Sequence, residues 1–181
     1  MRITKRHHVI YTCEVAKQLE LFNEDGKEKD SYYFQQLPSL ESLGKTAAAG
    51  LDKPRGVDYM SMHSPGRVVG VGAFVGDECV GYAWGLLKGG VCREYKIGNS
   101  DLYICRCLVH PEHRGHGLLT RMVKVLVRQY CIDGVAVCAI DPDNTPSRRS
   151  FEKVGFAAGD VVEFTRLRVR SINLVIPKRT L

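Results

Sequence analysis

The sequence predicts an α/β domain, and three patterns carry that prediction. Two short apolar runs, residues 102–109 and 135–140, each lead through a turn into a stretch with apolar residues at helical spacing. Upstream, Gly76-Asp77 separates two alternating apolar runs, residues 67–75 and 78–87, which is typical of a β-hairpin. With 181 residues, 44% of them apolar, the chain is long enough for one domain with a full core.

The first third of the chain gives the weakest patterns. Residues 9–13 predict an opening strand, residues 14–22 a helix, and the polar residues 23–30 a loop. Residues 39–49 predict a second helix that starts at a serine cap. Residues 50–65 are rich in Gly, Pro, Asp and Ser and predict a loop.

The most informative stretch joins a strand to a helix. Residues 102–109 are rich in β-branched, aromatic and thiol side chains, and Pro111 ends the predicted strand because proline has no backbone donor. From Leu118 onward, apolar residues recur on one face of a predicted helix and basic residues on the other. Between these elements, residues 114–117 present backbone N–H groups at a helix N-terminus, which predicts a phosphate-binding loop.

A second strand and helix follow. Residues 135–140 predict another buried strand, residues 141–144 a turn, and residues 146–154 a short helix that stops at Gly155. The order of strand, helix, strand and helix predicts a crossover unit, in which the two strands lie parallel.

Two segments resemble signatures of the GNAT superfamily of acyl-CoA-dependent N-acyltransferases. Arg114-Gly115-His116-Gly117 is similar to the family's Q/R-x-x-G-x-G/A loop for the acyl-CoA pyrophosphate. Residues 144–156, which include Asn144, Phe151 and Gly155-Phe156, are similar to its second signature. Two motifs in the family's order, each on the expected element, are more specific than either alone.

The resemblance covers about half of the chain and implies the fold of the rest. That fold is a mixed, mostly antiparallel sheet flanked by helices and splayed between the two central, motif-bearing strands. A single domain is expected over residues 1–181, with an acceptor-side region at 1–65, an acyl-CoA-binding core at 66–156 and a closing hairpin at 157–181.

The resemblance also implies the activity, in which acetyl or another short acyl group moves from acyl-CoA to a primary amine of a small molecule or peptide. Loop amides are expected to bind the pyrophosphate of acetyl-CoA, and backbone groups of Cys107 and Val109 to pair with its pantetheine arm. The implied cofactor-binding residues are Cys107, Leu108, Val109, His113, Arg114, Gly115, His116, Gly117, Leu118, Leu119, Asn144, Ser147, Phe151 and Lys153.

Three positions depart from the family pattern. Leu119 stands where Gly or Ala is usual at the end of the loop. Phe151 stands where many members carry a tyrosine that protonates the departing thiolate. Ala139 stands where some members place a glutamate base.

The catalytic groups are therefore predicted from nearby side chains. The attacking amine must lose a proton, and the candidate bases are Asp101 and Glu94 before the first strand and Asp141 after the second. Ser147 and Ser150, on the short helix, are the candidate donors to the thiolate. Positioning alone contributes about 7 kcal/mol or more to reactions of this kind, so a weak acid or base is tolerable.

Composition narrows the remaining classes. Seven cysteines, an odd number, predict reduced thiols that pack in the core, and no paired Cys or His spacing predicts a metal site. A covalent role for Cys105 or Cys107 stays open. No run of residues predicts a membrane span or a signal peptide, so we expect a soluble, cytoplasmic protein.

The formal charge of +6 leaves two alternatives open. Basic clusters at residues 2–8, 148–149, 166–170 and 178–179 predict a nucleic-acid-related acceptor if they converge beside the cofactor cleft. A non-catalytic acyl-CoA sensor is the second alternative, because Phe151 and Ala139 lack catalytic groups. A homodimer is also open.

Overall fold

The computed structural model describes residues 2–18, 31–37, 51, 57–88, 100–169 and 172–179. Eight strands and three α-helices lie in these ranges. The strands are β1 (Arg2–Glu14), β2 (Tyr32–Gln36), β3 (Val68–Val75), β4 (Glu78–Leu87), β5 (Leu102–Val109), β6 (Val135–Ile140), β7 (Ala157–Val169) and β8 (Ile172–Arg179). The helices are α1 (Val57–His63), α2 (Leu118–Tyr130) and α3 (Thr145–Glu152). Short 3-10 turns cover Val15–Gln18 and Pro111–His113.

All eight strands form one sheet in the order β2-β3-β4-β5-β6-β1-β7-β8. The β5–β6 pair is parallel, and every other pair described is antiparallel. The parallel pairing begins with Leu102 opposite Ala136 and ends with Ile104 opposite Cys138, although both strands continue. The mixed, mostly antiparallel sheet and its splay between the two motif-bearing strands are therefore confirmed.

Helix α2 packs on one face of the sheet through the apolar stripe that its sequence predicts. Met122, Val123, Leu126 and Val127 are all fully buried there. Burial of side chains of this size contributes about 1.5–3 kcal/mol each, which fixes the helix and the loop that precedes it. None of the helices in the described ranges is long and apolar enough to cross a membrane.

The other face of the sheet carries α1. The Sγ atom of Cys105 lies 4.0 Å from the Sδ atom of Met60, so α1 reaches β5 on this side. A second, smaller cluster of Leu86, Tyr103 and Val137 lies on the sheet apart from the main core. The two central strands are therefore covered on both faces, as parallel pairing requires.

The predicted strands β5 and β6, the start of α2 and the hairpin of β3 and β4 are confirmed. Helix α3 begins one residue earlier and ends two residues earlier than residues 146–154. The strands β7 and β8 pair at the edge of the sheet as a closing hairpin, and β7 starts at Ala157.

Two predictions for the first third are wrong where the structure describes it, and one strand there was not predicted. Strand β1 extends from Arg2 through Glu14, so the helix predicted over 14–22 is replaced at its start by a 3-10 turn. Residues 57–63 form α1 inside the predicted loop. The strand β2 was not predicted. Residues 19–30 and 39–49 lie outside the described residues, as do the polar loop and the helix predicted there.

Candidate active site

The loop between β5 and α2 has the backbone of a phosphate cradle. Gly115 and Gly117 adopt φ angles of +89° and +69°, a conformation that residues with a Cβ resist. The first helical bond runs from the N–H of Arg121 to the carbonyl of Gly117, so the preceding N–H groups have no intrahelical acceptor. No side chain in the described part of the chain caps this N-terminus. A Cβ at either glycine would meet no atom of the described residues within 4 Å, so the side of the loop that it would face is open.

Strand β2 supports this loop from the side. The hydroxyl of Tyr32 lies 2.9 Å from Nδ1 of His113, and its ring lies 5.4 Å from that of His116. Further along β2, the ring of Phe34 packs under the guanidinium of Arg121 at 4.5 Å. These contacts fix the start of α2 against the sheet. Sequence reasoning missed this supporting strand, although the consecutive aromatic residues of Tyr-Tyr-Phe are the signal that predicts it.

A gap opens between β5 and β6 beyond Ile104 and Cys138. From Cys105 to Val109, β5 pairs with β4 on one side only. Its groups on the β6 side therefore have no strand partner among the described residues, and an extended ligand fits there as an added strand. The gap and the loop lie at the same end of β5, because the loop follows its last residue.

A bulge bends β5 where the gap begins. Tyr82 is opposite Leu108, whereas Trp84 is opposite Cys105, so β5 contains one extra residue. Arg106 takes φ of +49°, in the left-handed region that non-glycine residues seldom occupy. Bulges and strained residues of this kind are enriched at functional sites.

In the second strand-to-helix crossing, from β6 to α3, side chains of the turn accept backbone N–H groups of the turn and of the helix start. Oδ1 of Asp141 accepts the N–H of Asp143 at 3.0 Å, and Oδ1 of Asn144 accepts the N–H of Ser147 at 3.3 Å. Asn144 is therefore the N-cap of α3, and its side-chain N–H₂ is left for another partner.

Helix α3 is held to the sheet by a hydrogen-bond network and by an aromatic pair. The hydroxyl of buried Tyr11 donates to Glu152 at 3.1 Å and accepts from Nε of Arg148 at 2.9 Å. The ring of Phe151 is buried and packs edge-on against Phe156 at 5.1 Å. Phe151 thus supports the helix from within the core.

Asp101 holds β5 and β6 together at the end opposite the gap. Its Oδ2 accepts the N–H of Val135 at 2.9 Å, and Oδ1 lies 3.3 Å from the ammonium of Lys88. The bond from Val135 and the charge of Lys88 lower the pKa of Asp101. Its distance along β5 from the loop, and its two bonds, give it a structural role.

The other candidate acids and bases differ in how their groups are bonded. The carboxylate of Asp141 closes its own turn, and the hydroxyl of Ser150 donates to the carbonyl of Pro146 at 2.9 Å. The half-buried hydroxyl of Ser147 has no hydrogen bond among the described residues, so its proton is not committed within the fold as that of Ser150 is. Glu94 lies outside the described residues.

The thiols near the gap are protonated at neutral pH. Burial raises the pKa of Cys107 to about 12 and that of Cys138 well above its usual range. A thiol with so high a pKa supplies almost no thiolate, which argues against Cys107 as a nucleophile. The described residues contain no group of His, Cys, Asp and Glu that fits a metal ion.

The predicted cofactor residues around the loop divide into two groups. Arg114 is exposed, with its Nε donating to the carbonyl of Val109 at 3.2 Å, and Lys153 is exposed at the end of α3. Leu118 is buried and Leu119 half-buried against the core, so each offers the loop its backbone N–H and not its side chain.

Two of the basic clusters meet on neighbouring strands. Arg2 is opposite Arg168, and Thr4 is opposite Arg166, in the register of β1 and β7. Lys5 lies 3.3 Å from Glu163, which partly balances this charge. Arg148 is occupied by Tyr11 and by the carbonyl of Pro142, so its cluster is engaged in holding α3.

The chain is similar to one family of known proteins. The family model described as the acetyltransferase (GNAT) family matches residues 29–156. Among curated proteins, none matches the chain.

Solved structures share the fold at low identity. A tandem GNAT protein from the clavulanic acid biosynthesis pathway is 16% identical, with a TM-score of 0.64 over 88% of this chain and 53% of its own. A Drosophila protein is 15% identical, with a TM-score of 0.63 over 93% and 52%. AAC(6')-Iy, solved with a bisubstrate analog of CoA and acetylneamine, is 14% identical, with a TM-score of 0.51 over 71% and 92%. This chain spans about half the length of the first two.

Proposed function

Because the chain belongs to the GNAT acetyltransferase family, we propose that it transfers an acetyl or other short acyl group from acyl-CoA to a primary amine of a small molecule or peptide. One observation carries the proposal: the uncapped N-terminus of α2, with its two left-handed glycines, lies at the same end of β5 as the gap beside β6.

The loop binds the negative end of the ligand. The loop residues from Arg114 to Gly117 are exposed, and the positive end of the α2 dipole favours the pyrophosphate. Exposed Arg114 adds a charge beside them, while its bond to the carbonyl of Val109 holds it at the end of β5. Backbone groups of Cys107 and Val109 pair with the pantetheine arm in the gap.

When bound, acyl-CoA supplies a thioester carbonyl that an uncharged amine attacks directly. The bulge at Arg106 lies where the gap begins, and the backbone groups of β5 next to it are the proposed groups that orient that carbonyl. As the C–N bond forms and the C–S bond breaks, the hydroxyl of Ser147 is the proposed proton donor to the leaving thiolate, and the proton that the amine nitrogen loses returns to that oxygen. The hydroxyl of Ser150 is bonded within α3, and Phe151 has none. We leave Asp101 out of the chemistry because both of its oxygens are engaged at the far end of the strand.

A nucleic-acid acceptor is not part of this proposal. Lys5 and His7 both lie beside Glu163, and Arg148 bonds Tyr11 and the carbonyl of Pro142, so other groups of the fold already engage these basic residues. A small or peptidic amine needs no such surface.

Thermal melting with acetyl-CoA, CoA and ATP tests the proposal. A ligand at a hundred times its dissociation constant adds about 2.7 kcal/mol to stability, or roughly 5–10 °C for a chain of this size. We expect acetyl-CoA and CoA to raise the Tm of the wild type, and Arg114→Ala to lose most of that rise.

Arg67→Ala is the matched control. Arg67 is also an exposed arginine that donates to a backbone carbonyl, that of Lys88 at 3.0 Å. Its loss removes a similar bond away from the loop and is expected to keep the full ligand-induced rise. A wild type whose Tm no acyl-CoA moves contradicts the proposal. Release of free CoA thiol with a panel of primary amines then distinguishes an enzyme from a binding module.

A further inference from the structure

The indole of Trp84 is a buried donor with no acceptor. The side chain is 2% exposed, and its Nε1 has no hydrogen-bond partner within the described part of the chain. Indole nitrogen only donates, so a missing acceptor leaves its hydrogen-bonding capacity unused, at a cost in stability. An orphan of this kind in a folded protein calls for an explanation, and a ligand is one.

The ring orientation shows where the N–H points. Gly70 is opposite Trp84 on β3, and a Cβ added there would lie 2.6 Å from Cε3 and Cζ3 of the indole. The six-membered edge of the ring therefore lies over β3. Because Nε1 is on the opposite edge, the N–H is directed away from β3 and toward β5, where Cys105 is the residue opposite Trp84.

The same donor lies on the face of the sheet opposite the phosphate cradle. A Cβ at Gly81 would meet Cε of Met122 at 3.3 Å, so the odd-numbered residues of β4 face α2. Side chains alternate along a strand, so Trp84 faces the other way. On that face, Met60 of α1 reaches Cys105. A molecule that meets the N–H therefore approaches from the side opposite the helix that holds the cofactor.

Two further features lie beside this donor. The extra residue of β5 and the left-handed φ of Arg106 directly follow Cys105. The pairing of β5 with β6 ends at Ile104, one residue before it. The backbone of Trp84 is thus about one and a half strand spacings, roughly 7 Å, from the middle of the gap, and the indole, which extends toward β5, spans part of that distance.

We infer that the indole N–H of Trp84 binds a carbonyl oxygen of the acceptor amine, and that the acceptor is an amine with such an oxygen a few bonds from its nitrogen, as in an amino-acid amide or a peptide N-terminus. This inference rests on the proposed function. A neutral carbonyl suits the apolar surroundings better than a carboxylate, because burying a charge without a partner is far more costly. Since the N–H is out of contact with solvent, binding displaces side chains on the α1 side.

Trp84 is the single tryptophan of the chain, so its emission reports on this site alone. The probes are leucinamide and phenylalaninamide, each matched with the amine that lacks the carboxamide, 3-methylbutylamine and 2-phenylethylamine. Titrations with CoA present give binding without turnover. We expect a red shift of the emission with the amides, and binding at least tenfold weaker, with no shift, for the matched amines.

The variant Trp84→Phe keeps an aromatic ring and removes the N–H. We expect kcat/KM for leucinamide to fall at least tenfold, kcat/KM for 3-methylbutylamine to change less than twofold, and the acetyl-CoA-induced rise in Tm to stay as in the wild type. Tyr103→Phe is the control, since it removes a polar atom from a buried aromatic on the closed half of β5. It is expected to retain the preference for the amide.

Equal responses of Trp84 to both members of each pair, including no response to either, overturn the inference. An unchanged preference in Trp84→Phe overturns it as well, and a variant that fails to fold leaves the emission titration as the deciding measurement. Failure of the proposed function has a separate signature: acetyl-CoA then shifts the Tm of neither the wild type nor the variant.

Discussion

The molecule contains two strand-to-helix crossings, and they treat the start of the helix in opposite ways. Between β6 and α3, side chains of Asp141 and Asn144 accept the backbone N–H groups of the turn and of the first helical residues. Between β5 and α2, no side chain caps the helix, and the turn is made by two glycines in the left-handed region.

This difference indicates that the start of α3 is structural, whereas the start of α2 is suited to bind a ligand. At α3 the donors are already satisfied, so an anion gains little there. At α2 no side chain of the described residues accepts these donors, so they and the positive end of the helix dipole stay accessible to an anion. The β2 contacts from Tyr32 to His113 and from Phe34 to Arg121 hold that unsatisfied end in place without occupying its N–H groups.

The largest expected effect, on the binding of acetyl-CoA, comes from a change in the loop that precedes α2. Gly117→Ala places a Cβ where φ is +69° and no protein atom lies within 4 Å, so the methyl group projects into the space of the ligand. We expect at least tenfold weaker binding of acetyl-CoA by calorimetry. The strained backbone also lowers the free energy of unfolding by about 1 kcal/mol.

Gly66→Ala separates the two effects of that change. Gly66 has φ of +70° and equally open surroundings, but it lies in the turn after α1. It is expected to lose the same stability and to keep the wild-type affinity for acetyl-CoA. Equal affinities in the two variants would show that Gly117 acts only as a turn residue.

A smaller effect, on stability, is expected at the crossing from β6 to α3. Asn144→Ala removes the cap of α3, and caps of this type contribute about 1 kcal/mol to stability. Urea unfolding without ligand measures that loss. Asn144→Asp keeps an oxygen acceptor for the N–H of Ser147 and should recover the stability, while it loses the side-chain N–H₂ that we expect to contact the pantetheine arm. If Asn144→Asp binds acetyl-CoA as the wild type does, Asn144 is a cap alone.

The sequence predicted both crossings because their signals are local. Apolar runs gave β5 and β6, the helical spacing from Leu118 gave α2, and the paired glycines of residues 114–117 marked the loop. The Asx and N-cap bonds that close the second turn depend on neighbours two and three residues apart, and Asp, Asn and Pro in residues 141–146 indicate them.

Features that depend on distant partners escaped prediction. Strand β2 is fixed by its pairing with β3, and Tyr32 meets His113 across 81 residues of sequence. Helix α1 has only a few apolar residues and is preceded by a stretch rich in turn-forming residues, so its packing on the sheet decides its form. The left-handed Arg106 and the unpaired N–H of Trp84 are set by strand register, which no local pattern contains.

The smallest expected effect concerns Asp101, at the end of β5 and β6 opposite the two crossings. The folded-state pKa of Asp101 is lower than that of the unfolded chain, chiefly because the N–H of Val135 bonds its carboxylate. Its contribution is therefore fully present above the unfolded pKa, near 4, and is lost as pH falls through the folded value. Asp101→Asn should lower the free energy of unfolding at pH 7 by less than about 1 kcal/mol, because the carboxylate is one-third exposed and solvent screens it.

That difference should shrink between pH 5 and pH 3 in urea titrations, since the wild type loses its charge there and the variant has none to lose. Asp133→Asn removes a charge from an exposed residue of the neighbouring turn and is expected to change the pH profile little. If the difference in the free energy of unfolding between Asp101→Asn and the wild type is constant with pH, the carboxylate acts by hydrogen bonding alone. Acetyl-CoA affinity should be unchanged in both variants, because Asp101 and Asp133 lie at the paired end of β5 and β6, away from the proposed acetyl-CoA site.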